Sequence, residues 1–373
     1  QKNLNNVRGF YYSEEAEKLK GYLLISNYNG DTKRSEINIL DLDKKKIIHK
    51  YNPKIEIINN KIPKDENKYF LKRDHNKNRY RIINPLIDGS GNIIFNSIYS
   101  PLVKINACSE YVWHIPEVFH HSNEFDADGN IWSPGLIIPS NLKGVSKNFK
   151  DDGIYKISPS GEIMFKKSLT KILIENDLDY LFGKMFVDPL HLNDIQPALN
   201  DTTFWKKNDL FLSIRNLSLV LLYRPSTNKI IWFKQYPWIY QHDIDIINNE
   251  EISIFNNNLE WNKIHVKNNN NILIYNFRTD EVSEPFKKIF KKNNIATNSE
   301  GLVDFLNEDL VMVDESPKGR LLILEKNKKI FEFINNDYED NHTYYLNWSR
   351  YLDEGNKDKI KNLNNLKSKC SIQ

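Results

Sequence analysis

Hydrophobic and polar residues alternate along most of this chain in short runs, and these runs end at turn-forming Asn, Gly and Asp residues. A period of two predicts β-strands, and few segments show the period of an amphipathic helix. The clearest predicted strands are Gly21–Ser26, Glu36–Leu40, Asn92–Phe95, Leu102–Ile105, Leu219–Tyr223, Lys229–Trp232, Asn271–Tyr275 and Arg320–Leu324. The pattern predicts an all-β fold.

The predicted strands recur in units of unequal length. Several units end on a strand with a lysine, a turn and an Ile or Val followed by Trp or Phe, as in Lys229–Trp232. The units lie near residues 21–65, 84–116, 121–167, 191–235, 242–288 and 301–334. Four short strands per unit are typical of a β-propeller, whose blades bury their faces by stacking in a ring. We therefore predict a single six-bladed β-propeller over residues 1–352.

Three segments fall outside the repeated strands. The stretch Leu169–Leu181 is compatible with a small helix, which we expect as an insertion beside the central channel. Tyr344–Trp348 is predicted to add a strand to the first blade and close the ring. Residues 353–373 are rich in Lys and Asn and are predicted to be a C-terminal polar tail, either a surface helix or a frayed end.

Three segments share the pattern His-x-x-acid-apolar, and each precedes a strand-like run. They begin at His121, His191 and His242. In a propeller the first strand of each blade lines the central channel, so histidines at one repeat position converge at one mouth of that channel. This recurrence predicts a chemical site there.

Composition and charge narrow the function classes. Aromatic residues make up 12% of the chain and hydrophobic residues 40%, which is enough for a sizeable core. With 52 basic and 49 acidic residues, the net charge of +3 gives no electrostatic argument for nucleic acid as a partner. The sequence contains no run of about 18 apolar residues, which is the length that would predict a membrane span.

The two cysteines, Cys108 and Cys370, lie in a strand-like run and in the polar tail. We expect a buried thiol and a separate tail thiol, with a disulfide between them as the alternative. The chain begins at Gln1 and not at Met, which fits either a removed signal or anchor or a trimmed chain. The sequence leaves the compartment open.

Two further side chains join the histidines in the predicted site. Asn193 lies two residues after His191, on the same face of an extended segment, and Arg215 ends the next strand of the same unit. Three imidazoles, a guanidinium and an amide form a donor-rich, cationic pocket that suits sulfate or phosphate. An imidazole can also act as a nucleophile or carry a proton.

Other interpretations of these residues stay open. The histidines can be structural, or three of them can bind zinc, although a nearby arginine disfavours a cation. Arg215 can end a strand ladder in a salt bridge. The histidines outside the motif are expected at the surface: His49, His75, His114, His265 and His342.

These residues resemble the bacterial arylsulfate sulfotransferases, which move a sulfuryl group between phenols without a nucleotide donor. The matching stretches are Phe119–His121 with Asp128–Asn130, Asp188–Ile195, Ser213–Asn216, Gln241–Asp243 with Ile254–Asn257, Glu300–Leu306, Glu315–Ser316 with Gly319–Arg320, and Arg350 in Trp348–Tyr351. The resemblance covers residues from about 80 to 352 and implies a six-bladed propeller with its site in the central channel.

The resemblance also implies roles for single residues. His242 matches the nucleophile that becomes transiently sulfated. His191, Asn193 and Arg215 match the groups that hold the sulfuryl oxygens, and His121 matches the remaining channel histidine. His120 is the register alternative to His121, and the internal repeat favours His121. The implied mechanism is ping-pong, with His191 or His121 giving a proton to the leaving phenolate.

The resemblance implies small-molecule partners, namely an aryl sulfate donor and a phenolic acceptor. It implies no cofactor and no metal, and a periplasmic or secreted location. Aromatic residues that can clamp the aryl groups are Trp113, Phe119, Trp205 and Trp238, although burial in blade packing is the commoner role of such side chains. The N-terminal β-sandwich that the long enzymes of the family use to dimerise has no counterpart here, so the oligomeric state is open.

Two other function classes compete with a sulfotransferase. One is a propeller that holds an anionic ligand or a protein partner without chemistry, because a fold alone does not determine function. The other is a sulfate-ester hydrolase, in which water replaces the phenolic acceptor.

Overall fold

The computed structural model describes residues 9–62, 76–182, 187–260, 265–337, 342–356, 358, 360–362 and 370. Within those residues the chain forms 25 strands, three short α-helices and several 3-10 turns. The strands pair antiparallel in five sheets. Each of the eight strands named from the sequence overlaps an observed strand.

Two sheets are simple meanders of four consecutive strands. The first contains β13 (Leu192–Pro197), β14 (Leu210–Ile214), β15 (Leu219–Arg224) and β16 (Lys229–Gln235). The second contains β17 (Ile244–Ile246), β18 (Glu251–Asn256), β19 (Asn271–Asn276) and β20 (Glu281–Ser283). Each runs from a buried first strand to a more exposed last strand, as in a propeller blade.

Two other sheets take in a strand from the opposite end of the chain. One joins β25 (Arg350–Leu352) to β2 (Tyr22–Asn29), β3 (Arg34–Asp41) and β4 (Lys46–Tyr51). The other joins β1 (Gly9–Tyr12) to β24 (Lys329–Ile334), β23 (Arg320–Glu325), β22 (Leu310–Glu315) and β21 (Leu302–Asn307). The first strand of the described chain therefore pairs with the last meander, and the last strand pairs with the first meander.

The fifth sheet has eight strands and consists of two meanders. They are β5 (Ile83–Ile87), β6 (Ile93–Asn96), β7 (Ser100–Ile105) and β8 (Tyr111–Phe119), followed by β10 (Ile131–Leu136), β11 (Asp152–Ile157) and β12 (Ile163–Ser168). The short strand β9 (Glu124–Phe125) pairs with β10. The meanders join where Gly135 and Leu136 pair with Phe119 and Val118.

The hydrophobic core lies between neighbouring sheets. Phe211 and Val220 pack with Ile252 and Leu273 of the next meander, and each of the larger clusters likewise draws on consecutive meanders. Each sheet alone would leave one apolar face in water, so face-to-face stacking stabilises them all. The fold is an all-β propeller.

The helices are short and peripheral. They are α1 (Ile55–Lys61), α2 (Leu169–Ile174) and α3 (Lys287–Lys292). The predicted helix over Leu169–Leu181 begins where expected, with Ser168 accepting a hydrogen bond from the Lys171 amide, but it ends at Ile174. Its second half is a turn that Asp177 makes with a φ of 59°, followed by the 3-10 turn Asp179–Phe182.

The closing strand is Arg350–Leu352 and not Tyr344–Trp348. Trp348 has a φ of 62°, which interrupts an extended chain, so pairing with β2 begins two residues after it. Within the predicted segment only Leu346 forms a bridge, with Asn27. Residues 63–65 of the first predicted unit lie outside the described residues.

The expectation of two separate thiols is wrong. Cys108 and Cys370 form a disulfide, which ties the C-terminal tail to the turn between β7 and β8. Ile360 in the same tail is buried in the core cluster that lies between β2–β4 and β5–β7. The tail, of which residues 353–356, 358, 360–362 and 370 are described, is therefore attached to the propeller at two points.

Candidate functional site

A cavity of about 290 Å³ lies where all five sheets meet. Its wall is formed by Arg81, Ile83, Ile98, Tyr99, His121, His191, Arg215, His242, Ser299, Glu300 and Trp348. These residues stand next to the inner strands, at their starts or in the adjoining turns. The three motif histidines and Arg215 are thus brought to one place.

The imidazole rings are close neighbours. The ring centroids of His121 and His191 are 5.2 Å apart, and those of His121 and His242 are 6.5 Å apart. The indole of Trp348 packs against both His121 and His242, at 5.9 Å and 6.3 Å. Imidazolium rings at these distances would repel one another, so most of the rings must be uncharged.

The three histidines do not share one repeat position. His121 and His191 have φ angles of 57° and 59°, and in the fifth unit the left-handed residue is Tyr240, with φ 52°. His242 comes two residues later, at the position that Asn193 holds in the fourth unit. The sequence alignment of the three histidines was therefore off by two residues, although their side chains still converge.

His242 is buried and has a partner on each ring nitrogen. Its Nδ1 lies 2.6 Å from Asn257 Oδ1, and its Nε2 accepts from the Glu300 amide at 2.9 Å. The Asn257 amide nitrogen donates to the carbonyl oxygen of Glu300 at 2.9 Å, so its oxygen must face the imidazole. Hence Nδ1 carries the proton and Nε2 carries the lone pair.

His191 is held differently. Its Nδ1 lies 2.8 Å from a carboxylate oxygen of Asp188, and its side chain is 23% exposed. In the described part of the chain its Nε2 has no hydrogen-bond partner. The nitrogen that faces the cavity is therefore open.

His121 is supported from behind by His120. The two Nδ1 atoms are 2.8 Å apart, and His120 Nε2 lies 3.2 Å from a carboxylate oxygen of Asp152. One Nδ1 donates to the other, so His120 holds the orientation of the His121 ring. Of the two register alternatives, His121 is the one that lines the cavity.

The electrostatics differ from the cationic pocket expected from the sequence. Burial, and then the charge of Arg215, lower the pKa of His242 well below its ordinary value. Burial and the neighbouring histidines do the same for the pKa of His121. These two imidazoles are neutral near pH 7, so the positive charge of the wall comes from arginine.

Arg215 begins the 3-10 turn after β14 and packs over the ring of Tyr240, with 5.3 Å from guanidinium to centroid. One of its nitrogens donates to the Asn216 side chain at 3.1 Å. Among the described residues no carboxylate lies within salt-bridge distance of it, so the salt-bridge alternative finds no support. Arg81, by contrast, makes two hydrogen bonds of 2.7 Å to the carboxylate of Glu300.

Several predicted residues lie outside the cavity wall. Asn193 is buried and its amide nitrogen donates to the Gln241 carbonyl at 3.1 Å. Phe119 packs on Tyr155 in the core, and Trp205 packs in an aromatic cluster with Phe211. Trp238 lines a different cavity of about 830 Å³. These side chains pack or form hydrogen bonds elsewhere in the propeller and do not line the histidine cavity.

Seven wall residues were not among the predicted site residues, and the largest polar or aromatic side chains among them are Arg81, Tyr99, Glu300 and Trp348. Glu300 and Trp348 have left-handed φ angles of 58° and 62°, as His121 and His191 do. The repeat itself was thus the missing signal, because Glu300 and Trp348 share this backbone conformation with His121 and His191 and line the same cavity. Arg81 and Tyr99 lie in loops, where the repeat gives no guide.

The remaining histidines divide into two groups. His114, His265 and His342 are partly or fully exposed, as expected. The expectation for His49 is wrong, because it is buried and its Nε2 bonds to the Ala107 carbonyl oxygen at 3.0 Å. His75 lies outside the described residues.

Two other features are absent from the described ranges. No group of three or more His, Cys, Asp or Glu side chains there could hold a metal ion. No helix in the same part of the chain is long and apolar enough to cross a membrane.

Comparisons with known proteins give one family match. The sequence model of a family described as Arylsulfotransferase (ASST) matches residues 89–336. No curated protein matches the chain.

Similar solved structures share little sequence. A protein of unknown function from Bacteroides caccae has 11% identity and a TM-score of 0.49 and covers 84% of this chain and 94% of its own. Virginiamycin B lyase from Staphylococcus aureus has 13% identity and a TM-score of 0.41 over 68% of this chain and 70% of its own. The Cps50 (Swd1) β-propeller domain of Myceliophteria thermophila has 9% identity and a TM-score of 0.45 over 84% and 86%.

Proposed function

We propose a sulfuryl-transfer function for this chain, which belongs to the arylsulfotransferase family. The proposed reaction moves a sulfuryl group from an aryl sulfate ester to a phenolic acceptor. It proceeds in two steps through a sulfohistidine, with His242 as the nucleophile that the family resemblance indicates.

The observation that carries this proposal is Arg215. It lines the cavity with three imidazoles around it, and the described residues supply it with no carboxylate. The charge of Asp188 acts on Arg215 only from beyond salt-bridge distance. A half-buried guanidinium without a carboxylate in direct contact is costly, and an anionic ligand would offset that cost. Its planar fork matches two oxygens of a sulfate ester, as in arginine recognition of phosphate.

The surroundings of His242 suit covalent transfer. As Nε2 bonds to sulfur, the bond between sulfur and the phenolic oxygen breaks and its electron pair leaves with that oxygen. The imidazole then becomes cationic, and Asn257 Oδ1 stabilises this charge by accepting from Nδ1–H. The Glu300 amide, released from Nε2, is placed to donate to a sulfuryl oxygen.

A second candidate is an anion-binding propeller without transfer. Its support is the same Glu300 amide, which occupies the only lone pair that His242 could offer to sulfur. Under this alternative Arg215 holds the anion, and His242 is a structural side chain buried between two hydrogen bonds.

We also propose that the propeller has six blades. Counting the eight-stranded sheet as two adjoining blades, six hydrophobic clusters separate six pairs of consecutive meanders and bring the last back to the first. Six left-handed residues at the inner edge agree with this count: Asn84, His121, His191, Tyr240, Glu300 and Trp348.

The disulfide supports a periplasmic or secreted location. Disulfides persist in oxidising compartments and are rare in the cytosol of most organisms. Mass spectrometry of protein taken directly from cell fractions, with free thiols alkylated first, would test this proposal.

The transfer proposal is tested by intact-mass measurement after mixing the protein with excess 4-nitrophenyl sulfate. Covalent transfer is expected to add one sulfuryl group, about 80 Da, together with a burst of nitrophenol. His242→Ala should abolish the gain, and peptide mapping of the wild type should place it on His242. The matched control is His114→Ala, which removes a histidine on an outer strand that does not line the cavity.

The outcomes separate the candidates. Tight binding of the ester with no mass gain and no nitrophenol would favour the anion-binding propeller. Steady nitrophenol release that is independent of added phenol would indicate a hydrolase. A mass gain that survives in His242→Ala would move the covalent step to another histidine.

A further inference from the structure

A line of hydrogen bonds runs from the cavity wall through two residues that have no assigned role. Lys150 donates to the Tyr99 hydroxyl at 2.6 Å and to a carboxylate oxygen of Asp188 at 3.1 Å. The same Asp188 oxygen lies 2.8 Å from Nδ1 of His191. Tyr99 and His191 both line the cavity, so the line starts and ends at the candidate site.

Asp188 determines which nitrogen of His191 carries the proton. An ionised carboxylate only accepts hydrogen bonds, so Nδ1 must be the protonated nitrogen of the neutral ring. The lone pair then sits on Nε2, at the cavity. This arrangement resembles the carboxylate that orients the general base in serine hydrolases.

His191 and, to a lesser extent, Lys150 keep that carboxylate ionised. Burial alone would raise the pKa of Asp188, but the hydrogen bond with His191 and the charge of Lys150 together lower it below its ordinary value. Burial would likewise lower the pKa of Lys150, and its contacts with Tyr99 and Asp188 raise it. Asp188 therefore carries a negative charge, and Lys150 a positive one, throughout the neutral range.

The contrast with His242 shows that this support is specific. His242 is held by an amide oxygen and a backbone N–H, neither of which carries a charge. His191 alone among the three motif histidines touches a carboxylate directly. His191 is therefore the motif histidine whose Nδ1 proton is fixed by a charged acceptor while its Nε2 faces the cavity.

We infer that Asp188 is a positioning residue that makes His191 the proton carrier for the phenolic oxygen, with Lys150 holding Asp188 in place. This inference rests on the proposed function. When the donor cleaves, the sulfur–oxygen bond breaks, and the phenolic oxygen takes the Nε2 proton of the His191 imidazolium. When the acceptor reacts, His191 Nε2 takes the proton of the phenol as its oxygen bonds to sulfur, and the nitrogen–sulfur electron pair returns to His242.

The test compares two donors in wild type and Asp188→Asn. The 4-nitrophenolate ion is a weak base that leaves without a proton, whereas phenolate needs one. Asp188→Asn should lower kcat for phenyl sulfate about 10–100-fold more than for 4-nitrophenyl sulfate. Lys150→Met should show the same donor dependence more weakly, and it keeps the test informative if Asp188→Asn does not fold.

The matched control is Asp209→Asn, which removes a buried carboxylate paired with Arg224 and distant from the cavity wall. It should leave the ratio of the two donors unchanged. An equal loss for both donors in Asp188→Asn would show that Asp188 is merely structural and would overturn the inference alone. A wild type that is inert toward both esters would overturn the proposed function as well.

A second readout does not depend on turnover. In protein labelled with nitrogen-15 histidine, the neutral His191 ring should give NMR signals of the Nδ1–H form, and Asp188→Asn should weaken this preference for one tautomer. The His191→Gln spectrum identifies the signal. A neutral His191 that carries its proton on Nε2 in the wild type would contradict the pairing on which the inference depends.

Discussion

Two buried arginines at the centre of the propeller have opposite surroundings. Arg215 lies in the wall of the histidine cavity, where the described residues offer it no carboxylate. Arg350 is surrounded by acids, with Glu124 at 2.6 Å and the charge of Asp304 nearby. Arg215 faces an open cavity and has no carboxylate beside it among the described residues, which is typical of a binding site. Arg350 is paired with an acid inside a closed cluster, which is typical of a structural site.

The acids around Arg350 hold neighbouring sheets together. Asp194 accepts from the Ile244 amide at 3.0 Å, Asp243 from the Val303 amide at 2.8 Å, and Asp304 from the Tyr351 amide at 2.7 Å. Each bond runs from the first strand of one meander to the next. The inner strands leave backbone N–H groups that need buried acceptors, and carboxyl side chains supply them.

The two regions also use burial in opposite directions. Burial lowers the pKa of His121 and of His242, which keeps the imidazoles neutral. Burial and then the charge of Glu124 raise the pKa of Asp194 to about 7. Burial and neighbouring carboxylates also raise the pKa of Asp243 well above its ordinary value. The same desolvation thus makes nucleophilic lone pairs in one region and proton-holding acceptors in the other.

The largest expected effect is on stability and comes from Arg350→Met. Removing this guanidinium leaves buried carboxylates without compensation, which costs about 3–5 kcal/mol. Urea unfolding followed by tryptophan fluorescence measures the loss. Arg215→Met is the matched control and should change stability by less than about 1 kcal/mol, since it leaves no buried carboxylate without its ion-pair partner. Equal losses would abolish the distinction between the two arginines.

The reverse effect is expected on transfer. Arg215→Lys keeps the charge but loses the planar fork, and it should lower kcat/KM for 4-nitrophenyl sulfate by about 10²–10³-fold. The assay is initial-rate nitrophenol release. Arg224→Lys, at an outer strand end paired with Asp209, provides the comparison and should retain wild-type rates. Full activity of Arg215→Lys would mean that any cation suffices at this position.

A moderate effect is expected on the pH dependence of stability. The pKa of Asp194 is about 7 in the folded protein and near 4 when unfolded, so the unfolded chain releases its proton first as pH rises. The stability contributed by the protonated side chain is therefore complete below about pH 4 and is lost between about pH 4 and pH 7.

Asp194→Asn removes this titration and can still accept from the Ile244 amide. The variant should gain stability relative to wild type as pH rises through that window. The gain is at most about 1.4 kcal/mol for each tenfold difference in proton affinity between the folded and unfolded chains. Chemical unfolding at several pH values measures the difference. A constant difference, or one that grows toward acid pH, would mean that Asp194 is ionised in the folded protein.

The smallest expected effect is on the ring NMR signals of His121 and His242, which should stay constant with pH. Because burial keeps His121 and His242 neutral, their ring NMR signals should not move between about pH 6 and about pH 8. The exposed His265 provides an internal reference within the same spectrum. Movement of either buried signal in that range would show a cationic cavity, as the sequence alone had suggested.

The fold was predictable where a local pattern decides it. Alternating runs such as Leu219–Tyr223 are strands in the structure, because their apolar faces fit between two sheets. The closing strand begins two residues after the end of the predicted segment Tyr344–Trp348, because the left-handed turn at Trp348 has no glycine to reveal it. The disulfide depends on where the tail lies, which spacing along the chain does not reveal.

The site was predictable in part for the same reason. His121, His191, His242 and Arg215 were found because the units repeat and the family resemblance covers them. The acids of the histidine motif were read only as part of the pattern, yet Glu124 pairs with Arg350 and Asp194 binds the next sheet. Asn193 was expected to face the ligand, but the bond from its amide to Gln241 turns it into the protein.

The sequence by itself determined that this chain is a repeated all-β structure with convergent histidines, because strand period and repeat position are local properties of the chain. Only the tertiary structure decided which nitrogens are open, which imidazoles are neutral and which arginine has no carboxylate beside it among the described residues. Those properties depend on burial and on contacts between residues such as His242 and Glu300, or Asp188 and Lys150, that lie tens of positions apart. Desolvation and charge pairing act through space, and the fold alone brings these groups together.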